Sequence, residues 1–127
     1  MDYKVLIVDD SKLARMAAIK SLNALHPTWP RVEAANADEA IKAIKASCPD
    51  IVLLDFNMPE RNGLELAADV RELCPGKPVA VISANHQQEI VQRTQAIGAT
   101  FLPKPLTQKA LGEFLAEAAR QLEEGTP

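Results

Sequence analysis

Short runs of aliphatic residues alternate with longer stretches of mixed polarity along the whole chain. Residues 4–8 and 51–54 are largely continuous apolar runs, which are typical of strands buried on both faces of a sheet. Residues 78–82 form a similar run, and residues 31–35 and 100–102 form weaker ones. The pattern therefore predicts five short strands, spread evenly over the sequence.

Each predicted strand is followed by a stretch with helical spacing of apolar residues. Ser11 and Asn36 are suited to cap the first two helices, and Glu39 stands three residues after Asn36, as in a capping box. The helix over 87–97 is polar and is expected to end at Gly98. The first helix follows Ser11, with an apolar face at Met16, Ile19, Leu22 and Leu25. The second is predicted over 36–47 and the third over 64–73. The last extends from Thr107 to Leu122 and is followed by a frayed tail at 123–127.

Five alternating strand–helix units define the fold class. Strands joined by helices of this length must be parallel, with right-handed crossovers that place helices on both faces of the sheet. The expected architecture is a doubly wound α/β sandwich. The chain has 127 residues, which suits one domain spanning 1–127.

The composition of the chain argues against nucleic-acid binding and against membrane insertion. The chain is 47% hydrophobic and 24% charged, with a net charge of −3 and no basic stripe, so nucleic-acid binding is not expected. No window approaches the roughly 18 apolar residues of a membrane span, and the first residues lack the layout of a signal peptide. We therefore expect a cytoplasmic protein without a membrane partner.

The two cysteines, Cys48 and Cys74, are too few for a disulfide framework. Each stands directly before a proline near a predicted helix end. His26 and His86 do not have the spacing of zinc ligands relative to them. We therefore predict two unpaired thiols and no zinc site.

Polar residues follow the predicted strands at the points where the strands end. Asp9 and Asp10 follow the first strand, Asp55 the third, Ser83 the fourth and Lys104 the fifth. The carboxyl ends of parallel strands meet at one edge of a sheet, which is where such folds bind ligands. Each residue alone has an ordinary interpretation as a cap, a turn or a surface residue, but their conjunction favours a functional site.

The charges at this edge predict its chemistry. Two carboxylates about 4 Å apart repel by about 4 kcal/mol at an effective dielectric near 20, so three require a cation. Oxygen ligands favour a hard divalent ion, and Mg²⁺ suits a site where phosphate supplies further ligands. An acidic cluster, a metal, a lysine and a hydroxyl together indicate phosphoryl transfer, with a carboxylate as nucleophile.

These residues resemble the receiver domain of two-component response regulators, in particular its single-domain, chemotaxis-regulator-like members. The resemblance covers Lys4 to Leu122 and implies a flavodoxin-like sheet with strand order 2-1-3-4-5 and five helices. It also implies a signalling phosphoacceptor, not an enzyme acting on an external substrate. The motifs that carry it are Asp9-Asp10, Asp55, Met58-Pro59 with Asn62-Gly63, Ser83-Ala84 and Lys104-Pro105.

The resemblance assigns roles to the individual residues. Asp55 is similar to the phosphoacceptor that receives its phosphoryl group from a histidine kinase or a phosphotransfer protein. Asp10 and Asp55 would bind Mg²⁺ through their side chains, Asn57 through its backbone carbonyl, and Asp9 through a metal-bound water. Lys104 would contact the phosphoryl oxygens.

The family's switch is expected to involve Ser83 and Phe101. Ser83 would swing to hydrogen-bond the phosphoryl group, and Phe101 would move inward behind it. The Lys104–Pro105 bond is similar to one that is cis in the family. The domain would either signal to an unknown downstream protein through the face formed by helix four, strand five and helix five, or relay the phosphoryl group onward.

Several functions stay open at this point. A stand-alone receiver is expected, because only about five residues follow the last predicted helix and Met1 directly precedes the first strand. A receiver fragment of a longer regulator or hybrid kinase is the first alternative. A phosphorylation-independent interaction module would be favoured only if an acid or Lys104 were missing. An Mg²⁺-dependent hydrolase with Asp55 as nucleophile would need a second aspartate at position 57, where this chain has Asn57.

Overall fold

Five strands form the centre of the molecule in a computed structural model that describes residues 2–58, 62–85 and 87–124. Their bounds agree closely with the predicted runs. Pro59 of the Met58-Pro59 motif and the two residues after it, Glu60 and Arg61, lie outside the described residues. The strands are β1 (Val5–Val8), β2 (Arg31–Ala34), β3 (Ile51–Asp55), β4 (Val79–Ser83) and β5 (Thr100–Pro103).

Five helices connect and follow the strands. The predicted caps of the first two are confirmed: Ser11 Oγ accepts the Ala14 N–H at 3.2 Å, and Asn36 Oδ1 accepts the Glu39 N–H at 2.8 Å. The last helix continues through Glu124, so the prediction of a frayed tail is wrong for Glu123 and Glu124, and residues 125–127 lie outside the described residues. The helices are α1 (Lys12–Leu25), α2 (Ala37–Ala46), α3 (Gly63–Leu73), α4 (Gln88–Ala96) and α5 (Gln108–Glu124).

All strand pairings are parallel, and the sheet order is β2-β1-β3-β4-β5, as expected from the resemblance. Alternate residues of each central strand enter opposite cores. In β1, Val5 and Ile7 pack with α1 and α5, whereas Leu6 and Val8 pack with α2 and α3. A strand buried on both faces needs apolar residues at every position, which explains the continuous runs in the sequence.

The apolar face of α1 is narrower than predicted. Ala18 and Leu22 are buried, but Met16 is 54% exposed. Met16 lies two residues before Ala18, which is about 200° round a helix and therefore on the other side. The prediction that Met16 belongs to the buried face is wrong.

The two cysteines form a disulfide, so the prediction of two unpaired thiols is wrong. Cys48 follows α2 and Cys74 caps α3, and their Cα atoms are 6.0 Å apart. Both helices pack on the same face of the sheet and run in the same direction, which brings their C-terminal ends together. This pairing depends on which helices are neighbours, a property that the spacing of two cysteines does not reveal.

Of the described helices, none combines the length and the apolar character needed to cross a membrane.

Candidate functional site

The register of the sheet brings the predicted polar residues to one edge. Asp55 pairs with Ile82, and Ser83 pairs with Pro103, so β3, β4 and β5 end nearly level. Asp9 and Asp10 follow β1 at the same edge, and one carboxylate oxygen from each of Asp9, Asp10 and Asp55 lies within 4.8 Å of the others.

The three acids differ in their surroundings. Asp9 and Asp55 are 8% and 3% exposed, whereas Asp10 faces solvent. Asp9 Oδ1 accepts the Ser11 N–H at 2.9 Å. Burial raises the pKa of the Asp9 carboxyl above its usual value, the Ser11 N–H opposes that shift, and the negative charge of Asp55 adds to it.

Lys104 supplies the positive charge of the site. Its Nζ lies 2.7 Å from Asp55 Oδ1, and its side chain is about one-third exposed. The backbone N–H of Lys104 donates to the Ser83 carbonyl at 3.0 Å, which ties the lysine to the end of β4. The Lys104–Pro105 peptide bond is cis. Because the Lys104 ammonium lies beside the buried Asp55 carboxylate and still reaches solvent, its positive charge can offset the charge of an anionic group approaching Asp55.

The residues assigned to the switch lie on β4 and β5. Ser83 is fully buried, and its Oγ accepts the Asn85 N–H at 3.0 Å. Phe101 is half-buried and lies opposite Val81 in the strand register. Asn57 follows β3 by two residues, with an exposed side chain. The fold thus places Ser83 at the site and Phe101 two strand positions further from that edge.

The donor set fits a hard divalent cation. Within the described part of the chain, the buried Asp55 Oδ1 makes the 2.7 Å ion pair with Lys104 and accepts no further hydrogen bond. Three carboxylates with one lysine leave an excess of negative charge. Carboxylate and carbonyl oxygens are the ligands that Mg²⁺ prefers, so Asp9, Asp10 and Asp55 are suited to hold it.

Two contacts around the site were not found by sequence reasoning. A Cβ at Gly63 would stand 2.8 Å from the Asp55 carbonyl oxygen and 2.8 Å from Phe56 Cα, so only glycine lets α3 begin this close to Asp55. Arg15 of α1 donates to the backbone carbonyl of Asp9 at 2.6 Å. The one signal for Arg15 in the sequence is its place one helical turn after Ser11, since helical side chains lean back toward the N-terminus.

Comparison with known proteins agrees with this geometry. The model of the response regulator receiver domain matches residues 5–116. The chemotaxis protein CheY of Thermotoga maritima is 33% identical over 121 residues, which cover 94% of this chain and all of that protein. An uncharacterised response regulatory protein of Yersinia pestis is 34% identical, with 94% of this chain and 49% of that protein covered. The solved structure of chemotaxis protein CheY4 from Vibrio cholerae superimposes with a TM-score of 0.83 at 28% identity, covering 93% of this chain and 99% of that one.

The chain belongs to the response regulator receiver domain family, as the sequence motifs indicated. It spans the whole length of one curated relative but about half the length of others. Receiver domains are signalling phosphoacceptors within two-component systems.

Proposed function

We propose that this receiver domain accepts a phosphoryl group on the carboxylate of Asp55 in an Mg²⁺-dependent reaction. The observation that carries the proposal is the placement of Asp55: a buried carboxylate 2.7 Å from the Lys104 ammonium, with Asp9 and Asp10 in reach of one shared cation. The donor is a histidine kinase or a phosphotransfer protein of the same signalling system.

The transfer exchanges one bond for another. An Asp55 oxygen attacks phosphorus, the new O–P bond forms, and the bond between phosphorus and the donor imidazole nitrogen breaks, leaving its electron pair on the imidazole. Lys104 stabilises charge on the phosphoryl oxygens, because its partly exposed, flexible side chain lets Nζ move with the anion. Mg²⁺, held by Asp9, Asp10, Asp55 and the Asn57 carbonyl, would offset the charge of the acids and of the incoming oxygens.

The phosphorylated state is read through Ser83. Its Oγ accepts the Asn85 N–H, and a phosphoryl group on Asp55 would offer a charged acceptor to which the Ser83 O–H can donate. Ser83 then turns toward the phosphoryl group, Phe101 moves inward, and the surface of α4, β5 and α5 changes. Within α4 only Thr94 is buried, so this helix can shift at little cost in packing.

The output of this domain is also part of the proposal. A stand-alone cytoplasmic receiver either signals to a downstream protein through the α4-β5-α5 face or relays the phosphoryl group onward. The full coverage of the Thermotoga relative supports the stand-alone form, and the half coverage of other relatives supports a receiver within a longer regulator.

The test is incubation with acetyl phosphate, with and without Mg²⁺, followed by intact mass spectrometry. Wild type is expected to gain one phosphoryl group only with Mg²⁺, and Asp55→Asn none. Asp50→Asn is the matched control, since Asp50 is a partly buried carboxylate beside Lys77 that lies directly before β3, at the amino ends of the strands. Equal labelling of wild type and Asp55→Asn would refute the proposal.

The role of Lys104 has a separate readout. Lys104→Ala should still be phosphorylated, more slowly, but should lose the change at α4 and β5 that follows phosphorylation. Amide chemical shifts of these elements report that change directly. If phosphorylated Lys104→Ala shows the same amide shift changes in α4 and β5 as phosphorylated wild type, Lys104 has no role in the switch.

A further inference from the structure

Arg15 connects three parts of the molecule next to the acidic site. It lies in α1, four residues after the cap Ser11, and its side chain is only 14% exposed. One guanidinium nitrogen, Nη1, donates to the Asp9 backbone carbonyl at 2.6 Å, and Nε donates to Glu33 Oε1 of β2 at 3.0 Å. A nearly buried arginine thus holds the loop after β1 against the neighbouring strand.

The carbonyl that Arg15 holds belongs to the peptide unit between Asp9 and Asp10. Because a peptide unit is planar, fixing its oxygen also fixes the direction of the Asp10 N–H and the start of the Asp10 backbone. The Asp9 N–H is already bound to the Ala34 carbonyl at 3.1 Å, and its side chain to the Ser11 N–H. Asp10 itself faces solvent, so its carboxylate depends on the backbone for its direction.

We infer that Arg15 is a positioning residue that aims the Asp10 carboxylate at the cation shared with Asp9 and Asp55. Glu33 keeps the guanidinium plane in place. The inference rests on the proposed Mg²⁺-dependent function and deepens it, since it names what organises the metal site. Arginine suits the task better than lysine, because its N–H groups have fixed directions and serve two acceptors at once.

A positioning role and a purely electrostatic role of Arg15 predict opposite changes in Mg²⁺ affinity when its charge is removed. Removing a positive charge near an acidic cluster should strengthen the binding of a cation if charge alone matters. Removing a group that aims a ligand should weaken it. Arg15→Gln therefore separates the two explanations by the direction of the change in Mg²⁺ affinity.

The experiment is an Mg²⁺ titration of the full chain, followed through the amide shifts of Asp10 and Asp55. Arg15→Gln should bind Mg²⁺ at least about fivefold more weakly than wild type, Arg15→Lys should lie between them, and a higher Mg²⁺ concentration should restore phosphorylation by acetyl phosphate. The matched control is Arg31→Gln, because Arg31 Nη2 donates to the Trp29 carbonyl at 2.8 Å at the far end of β2. This control can lose stability but should keep the wild-type Mg²⁺ affinity.

An Arg15→Gln affinity equal to that of wild type, or higher, would overturn the inference, as would an equal loss in Arg31→Gln. Normal phosphorylation of wild type with an unchanged Arg15→Gln affinity would overturn the positioning role alone. If wild type binds Mg²⁺ but gains no phosphoryl group while Arg15→Gln still loses affinity, the proposed function fails and the positioning role stands. Absence of Mg²⁺ binding by wild type would overturn both.

Discussion

Replacing Asp9 with asparagine should stabilise the metal-free protein, although it damages the site. Asparagine keeps the Oδ1 that accepts the Ser11 N–H at 2.9 Å, so the cap of the loop is preserved. It removes one of three charges that can lie within 4.8 Å of one another. The change therefore removes both the cost of burying a charged carboxylate and its repulsion by the other two acids at this sheet edge.

The magnitude follows from Coulomb's law. Two unit charges 4.8 Å apart repel by about 3.5 kcal/mol at an effective dielectric near 20. Lys104 offsets part of this repulsion, since it lowers the pKa of Asp9 while Asp55 and Asp10 raise it. We expect the free energy of unfolding of Asp9→Asn to exceed that of wild type by about 1–2 kcal/mol at pH 7 without metal.

The direction of the stability difference between Asp9→Asn and wild type can also be checked by varying the pH. The pKa of Asp9 is higher in the folded protein than its usual value, chiefly because the carboxyl is buried. The folded state then binds more protons than the unfolded state, and wild type loses stability as pH rises from the usual value to the raised one. The advantage of Asp9→Asn should therefore be absent below the usual carboxyl pKa and complete above the raised one.

Urea denaturation in EDTA at about pH 7 and about pH 3.5 measures both effects. Added Mg²⁺ at ten times its dissociation constant should stabilise wild type by about 1.4 kcal/mol, and Asp9→Asn by less at the same concentration. Asp50→Asn should change stability in the opposite direction, because Asp50 accepts the Lys4 N–H at 2.8 Å and lies 3.5 Å from Lys77. If Asp9→Asn were no more stable than wild type at pH 7, that result would refute the reasoning. A stability advantage of Asp9→Asn as large at low pH as at pH 7 would also refute it.

Two further predictions concern stability around the site and far from it. Reducing the Cys48–Cys74 disulfide, which closes a separation of 26 residues, should lower the free energy of unfolding by about 3.5 kcal/mol in urea titrations. Two alkylatable thiols in the unreduced native protein would contradict the bond, and Cys48→Ser should not respond to reductant. Gly63→Ala should cost about 1–3 kcal/mol and slow phosphorylation, because the new Cβ meets the backbone of Asp55. Gly112→Ala in α5 meets only a flexible leucine methyl at 3.2 Å, so equal losses in the two alanine variants would contradict this explanation.

The sequence by itself determined the order of elements and the chemistry of the site edge. Apolar runs of strand length, the caps Ser11 and Asn36, and the stop at Gly98 are local signals, and each acts within a few residues of its own position. The convergence of Asp9, Asp55 and Lys104 followed from a general property of parallel sheets, which places all carboxyl ends together. These features needed no knowledge of which helix packs beside which.

The tertiary structure decided everything that depends on neighbours distant in the chain. The Cys48–Cys74 pair forms because α2 and α3 lie side by side on one face, and Met16 is exposed because the sheet covers only the opposite stripe of α1. The contact between Arg15 and Glu33 forms only because β2 lies beside the start of α1, 18 residues away in the chain. Such contacts join segments separated by many residues, and their geometry is fixed by packing rather than by any local pattern.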